Sequence, residues 1–136
     1  MTYLLDVNSL IALGVLHHEF HGRVAAWVAR LAKKGIPDLA TCSITELGFV
    51  RVLGRAQPYR FTVVQARQAL LLLKTSESIR CAFIPDGNDI SHLPIWEKSP
   101  KHTTNGHFVE LAKANGAHLA TLNGKIPGSF VIPTGR

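Results

Sequence analysis

Acidic side chains and cysteines are both scarce in this chain of 136 residues, which holds 9 Asp and Glu against 15 Lys and Arg, and 2 cysteines. Cys42 and Cys81 stand far apart with no CxxC spacing. That excludes a disulfide-stapled small fold and a cysteine-rich zinc site, and both are expected to be buried free thiols in a reducing compartment. No apolar run approaches the ~20 residues of a membrane span, and no basic segment precedes the apolar residues 10–16. Neither a membrane span nor a signal peptide is expected. GxGxxG and GxxxxGK[ST] are both missing, which removes the common nucleotide-binding fingerprints. There is no charge run, low-complexity tract or internal repeat. These absences leave the expectation of a cytoplasmic protein with a single domain over residues 1–136. The chain is 46% hydrophobic, enough for a core, and its net charge of +6 favours a polyanionic partner such as RNA or DNA.

Apolar periodicity then orders the chain. Tyr3-Leu4-Leu5 reads as a short strand closed by Asp6, and a buried helix follows from Ser9. Residues 23–34 form a second helix with Val24, Trp27, Val28 and Leu31 on one face, ended by Gly35-Ile36-Pro37. Leu39-Ala40-Thr41 is a strand. Ser43 is the expected N-cap of a helix over 44–53, with Glu46 completing a capping box and Gly54 stopping it. A loop holding Pro58 spans 55–61, and Thr62 opens a helix through Lys74 whose apolar stripe is wide enough to suggest a second interface. Further strands are expected at 81–84, 118–121 and 130–132. Between them lie a loop over 87–104, with one short turn near Ile95, and a helix beginning at Asn105 and closed by Asn115-Gly116. Strands alternating with helices predict an α/β fold around a mainly parallel sheet of about five strands.

Asp6 ends the first strand where a helix begins, and ligands bind at the carboxyl ends of the strands in open α/β sheets. Glu46 sits in the first turn of an otherwise apolar helix, where a carboxylate without a partner is costly. Asn105 and Asn123 occupy comparable junctions. Together these oxygen donors suit a hard cation such as Mg²⁺. His18-Glu19-Phe20-His21 is not HExxH, and His17 and His21 find no third zinc ligand. An aspartyl-nucleophile pattern DxDx[TV] fails because Asn8 stands where its second Asp belongs.

The ordered set Leu5-Asp6-Val7-Asn8-Ser9-Leu10, His18-x-x-His21 with Trp27, Ala40-Thr41-Cys42-Ser43-Ile44-Thr45-Glu46, Thr104-Asn105-Gly106-His107-Phe108 and Leu119-Ala120-Thr121-Leu122-Asn123 resembles the PIN-domain family, and within it the VapC-type toxin ribonucleases. The resemblance implies a three-layer α/β/α sandwich and metal-assisted hydrolysis of RNA with Mg²⁺ or Mn²⁺. It further implies a cognate antitoxin and a homodimer. It assigns catalytic positions to Asp6, Glu46, Asn105 and Asn123, with Asp6 and Asn105 on the metal and Asn8 or Ser9 orienting Asp6. The amides at the start of the Asn105 helix would face a phosphate. Arg51 and Lys101 are the expected contacts to RNA phosphates.

The chain departs from the family where two acids are expected, at Asn105 and Asn123. Asn offers one neutral carbonyl oxygen where Asp offers two charged ones, so cation affinity should fall with the ligand charge. A low-activity or inactivated ribonuclease is one expectation, and a non-catalytic module that binds RNA or an antitoxin is the alternative. Both Asn residues precede Gly, a context prone to deamidation.

Overall fold

The computed structural model describes residues 1–56 and 58–135. Gln57, in the expected loop over 55–61, and Arg136 lie outside the described residues. Five strands form one all-parallel sheet in the order β3-β2-β1-β4-β5: β1 (Thr2–Leu5), β2 (Asp38–Thr41), β3 (Arg80–Phe83), β4 (Ala117–Thr121) and β5 (Phe130–Val131). The chain winds from β1 outward to β2 and β3, then returns to the other side of β1 as β4. The order therefore reverses between β1 and β4, the place where open parallel sheets bind ligands.

Side chains alternate across the strands and divide the core into two layers. Leu5, Leu39 and Ala120 face α1 (Val7–Gly14), α2 (His21–Ala32), α3 (Ser43–Arg55) and α4 (Val63–Lys74), which contribute Ile11, Trp27, Phe49 and Leu70. Leu4, Ala40 and Leu119 face α5 (Thr103–Ala114), which contributes Phe108 and Leu111. This is the expected α/β/α sandwich, with apolar side chains on both faces of each inner strand, as buried parallel strands require. Trp27 lies in the core, edge-on to Tyr3 with ring centroids 5.0 Å apart. Asn115-Gly116 ends α5 as expected, with Gly116 at φ +66°.

Several boundaries depart from the sequence expectation. Helix α3 starts one residue early, with Cys42 as its N-cap, and runs through Gly54 to Arg55. The loop sustains that extension, because the Phe61 N–H donates to the carbonyl of fully buried Leu53 at 2.9 Å. Helix α2 begins at His21, whose imidazole Nδ1 lies 2.7 Å from the Ala12 carbonyl and ties the two helices together. The loop after β3 holds the expected short turn at Ile95-Trp96, closed by the Glu97 N–H donating to the Pro94 carbonyl at 3.0 Å, and adds two single 3₁₀ turns, Ile90–His92 and Pro100–His102. Helix α5 starts at Thr103, two residues before the expected start at Asn105.

Candidate active site

Each of the two candidate carboxylates is held by a threonine at the end of a strand. Asp6 caps α1: its Oδ1 accepts the Ser9 N–H at 3.0 Å, and its Oδ2 accepts the Thr121 hydroxyl at 2.6 Å. Thr121 is the last residue of β4, so this bond spans the point where the strand order reverses. Glu46 Oε2 accepts the hydroxyl of Thr41, the last residue of β2, also at 2.6 Å. Both threonines are fully buried. β2 and β4 are the two neighbours of β1, and neighbouring strands lie ~4.8 Å apart. The two carboxylates thus share the carboxyl edge of the central three strands.

Glu46 is not the capping-box partner of Ser43. The cap falls at Cys42, whose N–H donates to the Thr45 hydroxyl at 2.9 Å. A buried threonine fills the capping role and leaves the Glu46 carboxylate for Thr41 and for the Lys74 ammonium, 2.5 Å away at the end of α4. That ammonium also stands 5.5 Å from the centre of the Phe83 ring. Beside this cluster burial pushes the Cys81 thiol above its usual range. Sequence reasoning missed Lys74, Thr41 and Thr121 as site residues. One signal for the threonines was visible: the tripeptide Leu-Ala-Thr occurs at both 39–41 and 119–121.

A cavity of about 430 Å³ opens beside Asp6, lined by Asn8, His18, Phe20, Thr121 and Asn123. Ser9 is fully buried, and its hydroxyl has no hydrogen-bond partner among the described residues. Asn123 lines the cavity, but its Oδ1 accepts the Lys125 N–H at 3.0 Å in a tight turn. His18 lines the same cavity. Its Nδ1 accepts the Phe20 N–H at 3.0 Å, and its ring lies nearly parallel to Tyr59. Burial lowers its pKa from the usual 6.5, and because Nδ1 accepts the Phe20 N–H the neutral ring carries its proton on Nε2.

The remaining expected residues are more dispersed. Glu46 and Arg51 line a separate groove of about 690 Å³ between α3 and α4. Asn105 is half-buried on α5 and is not among the residues lining the Asp6 cavity. One turn-forming amide of that helix is already taken, because the Gly106 N–H donates to Glu97 Oε1 at 3.1 Å, which limits the expected phosphate site there. Next to it, His107 Nε2 pairs with Asp86 Oδ2 at 2.5 Å. Lys101 is exposed in the 3₁₀ turn before α5.

The donor set fits a hard divalent cation held by few protein ligands. Each Asp6 oxygen accepts one hydrogen bond and keeps a further lone pair, and Glu46 Oε1 accepts none among the described residues. Mg²⁺ is commonly bound by one or two carboxylates with water and phosphate completing its shell. Among the described residues no group of three or more His, Cys, Asp or Glu is arranged to hold a metal ion, so any cation here would rest on fewer protein ligands.

No family model matches the chain. It is 33% identical to ribonuclease VapC38 of Mycobacterium tuberculosis over 126 residues, covering 88% of this chain and 84% of that one. It is 32% identical to ribonuclease VapC44 of the same organism, covering 93% and 89%. Among solved structures it superposes on M. tuberculosis VapC20, a sarcin-ricin loop cleaving toxin, with a TM-score of 0.60 at 15% identity, over 96% of this chain and 99% of that one. VapBC2 from Rickettsia felis, bound to a promoter DNA fragment, gives a TM-score of 0.57 at 17% identity, over 96% of both chains. With two carboxylates at the edge of a VapC-like sheet and a third of its residues shared with VapC38 across most of both chains, this protein belongs to the VapC family of ribonucleases.

Proposed function

We propose that this chain is a Mg²⁺- or Mn²⁺-dependent endoribonuclease toxin that cuts RNA phosphodiester bonds and is neutralised by a cognate antitoxin. The observation that carries it is the pair of carboxylates, Asp6 and Glu46, held by threonines at the carboxyl ends of β4 and β2 in a chain of the VapC family. Asp6 and Glu46 Oε1 would hold the cation, with Asn105 as a neutral donor if its side chain turns to the site. A bound cation supplies Lewis acidity to the scissile phosphate and to attacking water. The protein's own groups do the rest. Thr121 and the Ser9 amide fix the Asp6 carboxylate, and Thr41 fixes Glu46, so neither reorganises when RNA arrives. The His18 Nε2 proton offers a neutral donor to a phosphate or ribose oxygen in the Asp6 cavity. Arg51 and Lys101 contact flanking phosphates, which positions RNA without reading its sequence.

Acting on RNA, the protein is assigned to the cytoplasm. The exposed Val63, Val64, Leu71 and Leu72 on α4 support a homodimer or antitoxin contact. The test is cleavage of a structured ribosomal RNA hairpin with Mg²⁺, with Mn²⁺ and with EDTA. The expected result is metal-dependent cutting that Asp6→Asn and Glu46→Gln abolish. Equal cutting by those variants would contradict the assignment. Binding of RNA or antitoxin with no cutting would favour the non-catalytic module.

A further inference from the structure

We infer that Lys74 is an internal counter-ion of this active site, competing with the divalent cation for Glu46 and so setting how tightly the cation is held. The inference rests on the proposal above that Glu46 is a cation ligand. Of the four candidate positions only Asp6 and Glu46 are acids, since Asn105 and Asn123 are neutral. One of the two is already neutralised, because the Lys74 ammonium contacts Glu46 Oε2 at 2.5 Å. The contact is partly sheltered: the two side chains are 22% and 24% exposed. Lys74 is also placed by other contacts. It closes α4, directly before the cap Thr75, and its ammonium lies near the Phe83 ring. Thr41 holds the same Glu46 oxygen from the opposite partner.

A dication arriving at Glu46 meets this ammonium. Like charges a few ångströms apart repel strongly in a partly desolvated site, so Lys74 must leave Oε2 or weaken the cation's hold. Once released, its four-carbon stem keeps the charge within reach of the same edge, in the groove it shares with Arg51 and Arg67. There it would meet an RNA phosphate. The pair thus makes cation binding and exposure of a phosphate-binding lysine one event.

The test measures Mn²⁺ binding by titration calorimetry, with no RNA present, on the wild type, Lys74→Met, Lys74→Arg and Glu46→Gln. Lys74→Met should bind Mn²⁺ about tenfold more tightly, equivalent to ~1.4 kcal/mol, while Lys74→Arg keeps wild-type affinity. A second measurement uses wild-type protein alone: acetylation of Lys74 by an amine-reactive ester, read by peptide mass spectrometry against exposed Lys98. Mn²⁺ should accelerate it at Lys74 and leave Lys98 unchanged. If Glu46→Gln weakens Mn²⁺ binding while Lys74→Met does not strengthen it and Lys74 acetylation ignores Mn²⁺, the counter-ion role is wrong and Glu46 remains a ligand. If Glu46→Gln binds Mn²⁺ like the wild type, or the wild type binds none, the underlying ligand assignment fails and the inference with it.

Discussion

Thr41 and Thr121 each aim a hydroxyl at one carboxylate from a fully buried position. Valine matches threonine in shape but donates nothing, so Thr121→Val leaves Asp6 Oδ2 without its partner. Losing a hydrogen bond to a charged group costs ~1.5–3 kcal/mol, which urea denaturation should show, with cleavage falling at least about tenfold. Thr41→Val should cost less stability, because Lys74 still holds the same Glu46 oxygen. His18 gives a pH signature. Its folded pKa lies below the usual value, first through burial, so the native ring binds a proton less readily than the unfolded one. Its contribution is complete above about pH 6.5 and is lost as the pH falls through the folded pKa. The wild type should therefore lose more melting temperature than His18→Asn between pH 7.5 and 5.5. Asp6 and Glu46 were legible as carboxylates at element junctions. Lys74 was not, because the partner of a charged helix-end residue is chosen by how two helices pack, and sequence spacing does not encode that.

At the scale of elements, the close approach of α1 and α3 sets the site, since Asp6 caps one helix and Glu46 stands in the first turn of the other. Gly48 permits that approach: a Cβ there would lie 2.5 Å from Cγ2 of Val7. Alanine within a helix normally stabilises by ~0.5–1 kcal/mol over glycine. Here Gly48→Ala should instead destabilise by ~1–3 kcal/mol, because the β-branched Val7 has little rotamer freedom to yield. Thermal melts should show part of the loss recovered by adding Val7→Ala. The strands, helices and sandwich were readable from periodicity, but the caps were not. Ser43 and Glu46 satisfy the capping-box pattern on paper, and so do Cys42 and Thr45 in the folded chain, one residue earlier. Burial of Thr45 decides between them. The start of α5 was placed two residues late, at Asn105, in a first turn where Glu97 of the preceding loop accepts the Gly106 N–H.

Across the whole molecule, an excess of six positive charges surrounds a candidate site with two carboxylates, Asp6 and Glu46. RNA affinity should therefore fall steeply with salt, with a slope reduced by about one when Arg51 or Lys101 becomes alanine, as filter binding at several ionic strengths would show. On the proposed function, Asp6 and Glu46 suffice for metal-assisted cleavage, and Asn105 and Asn123 limit it. Single-turnover cleavage of structured RNA with Mn²⁺ and with EDTA tests it on four proteins: the wild type, Asn105→Asp, Asn123→Asp and the double variant. Slow, EDTA-sensitive cutting by the wild type is the expected result. Asn105→Asp should raise the rate about tenfold or more, and Asn123→Asp less, because the Asn123 carbonyl is committed to its turn. Undiminished cutting in EDTA, or no cutting by any of the four while all remain folded, would contradict it.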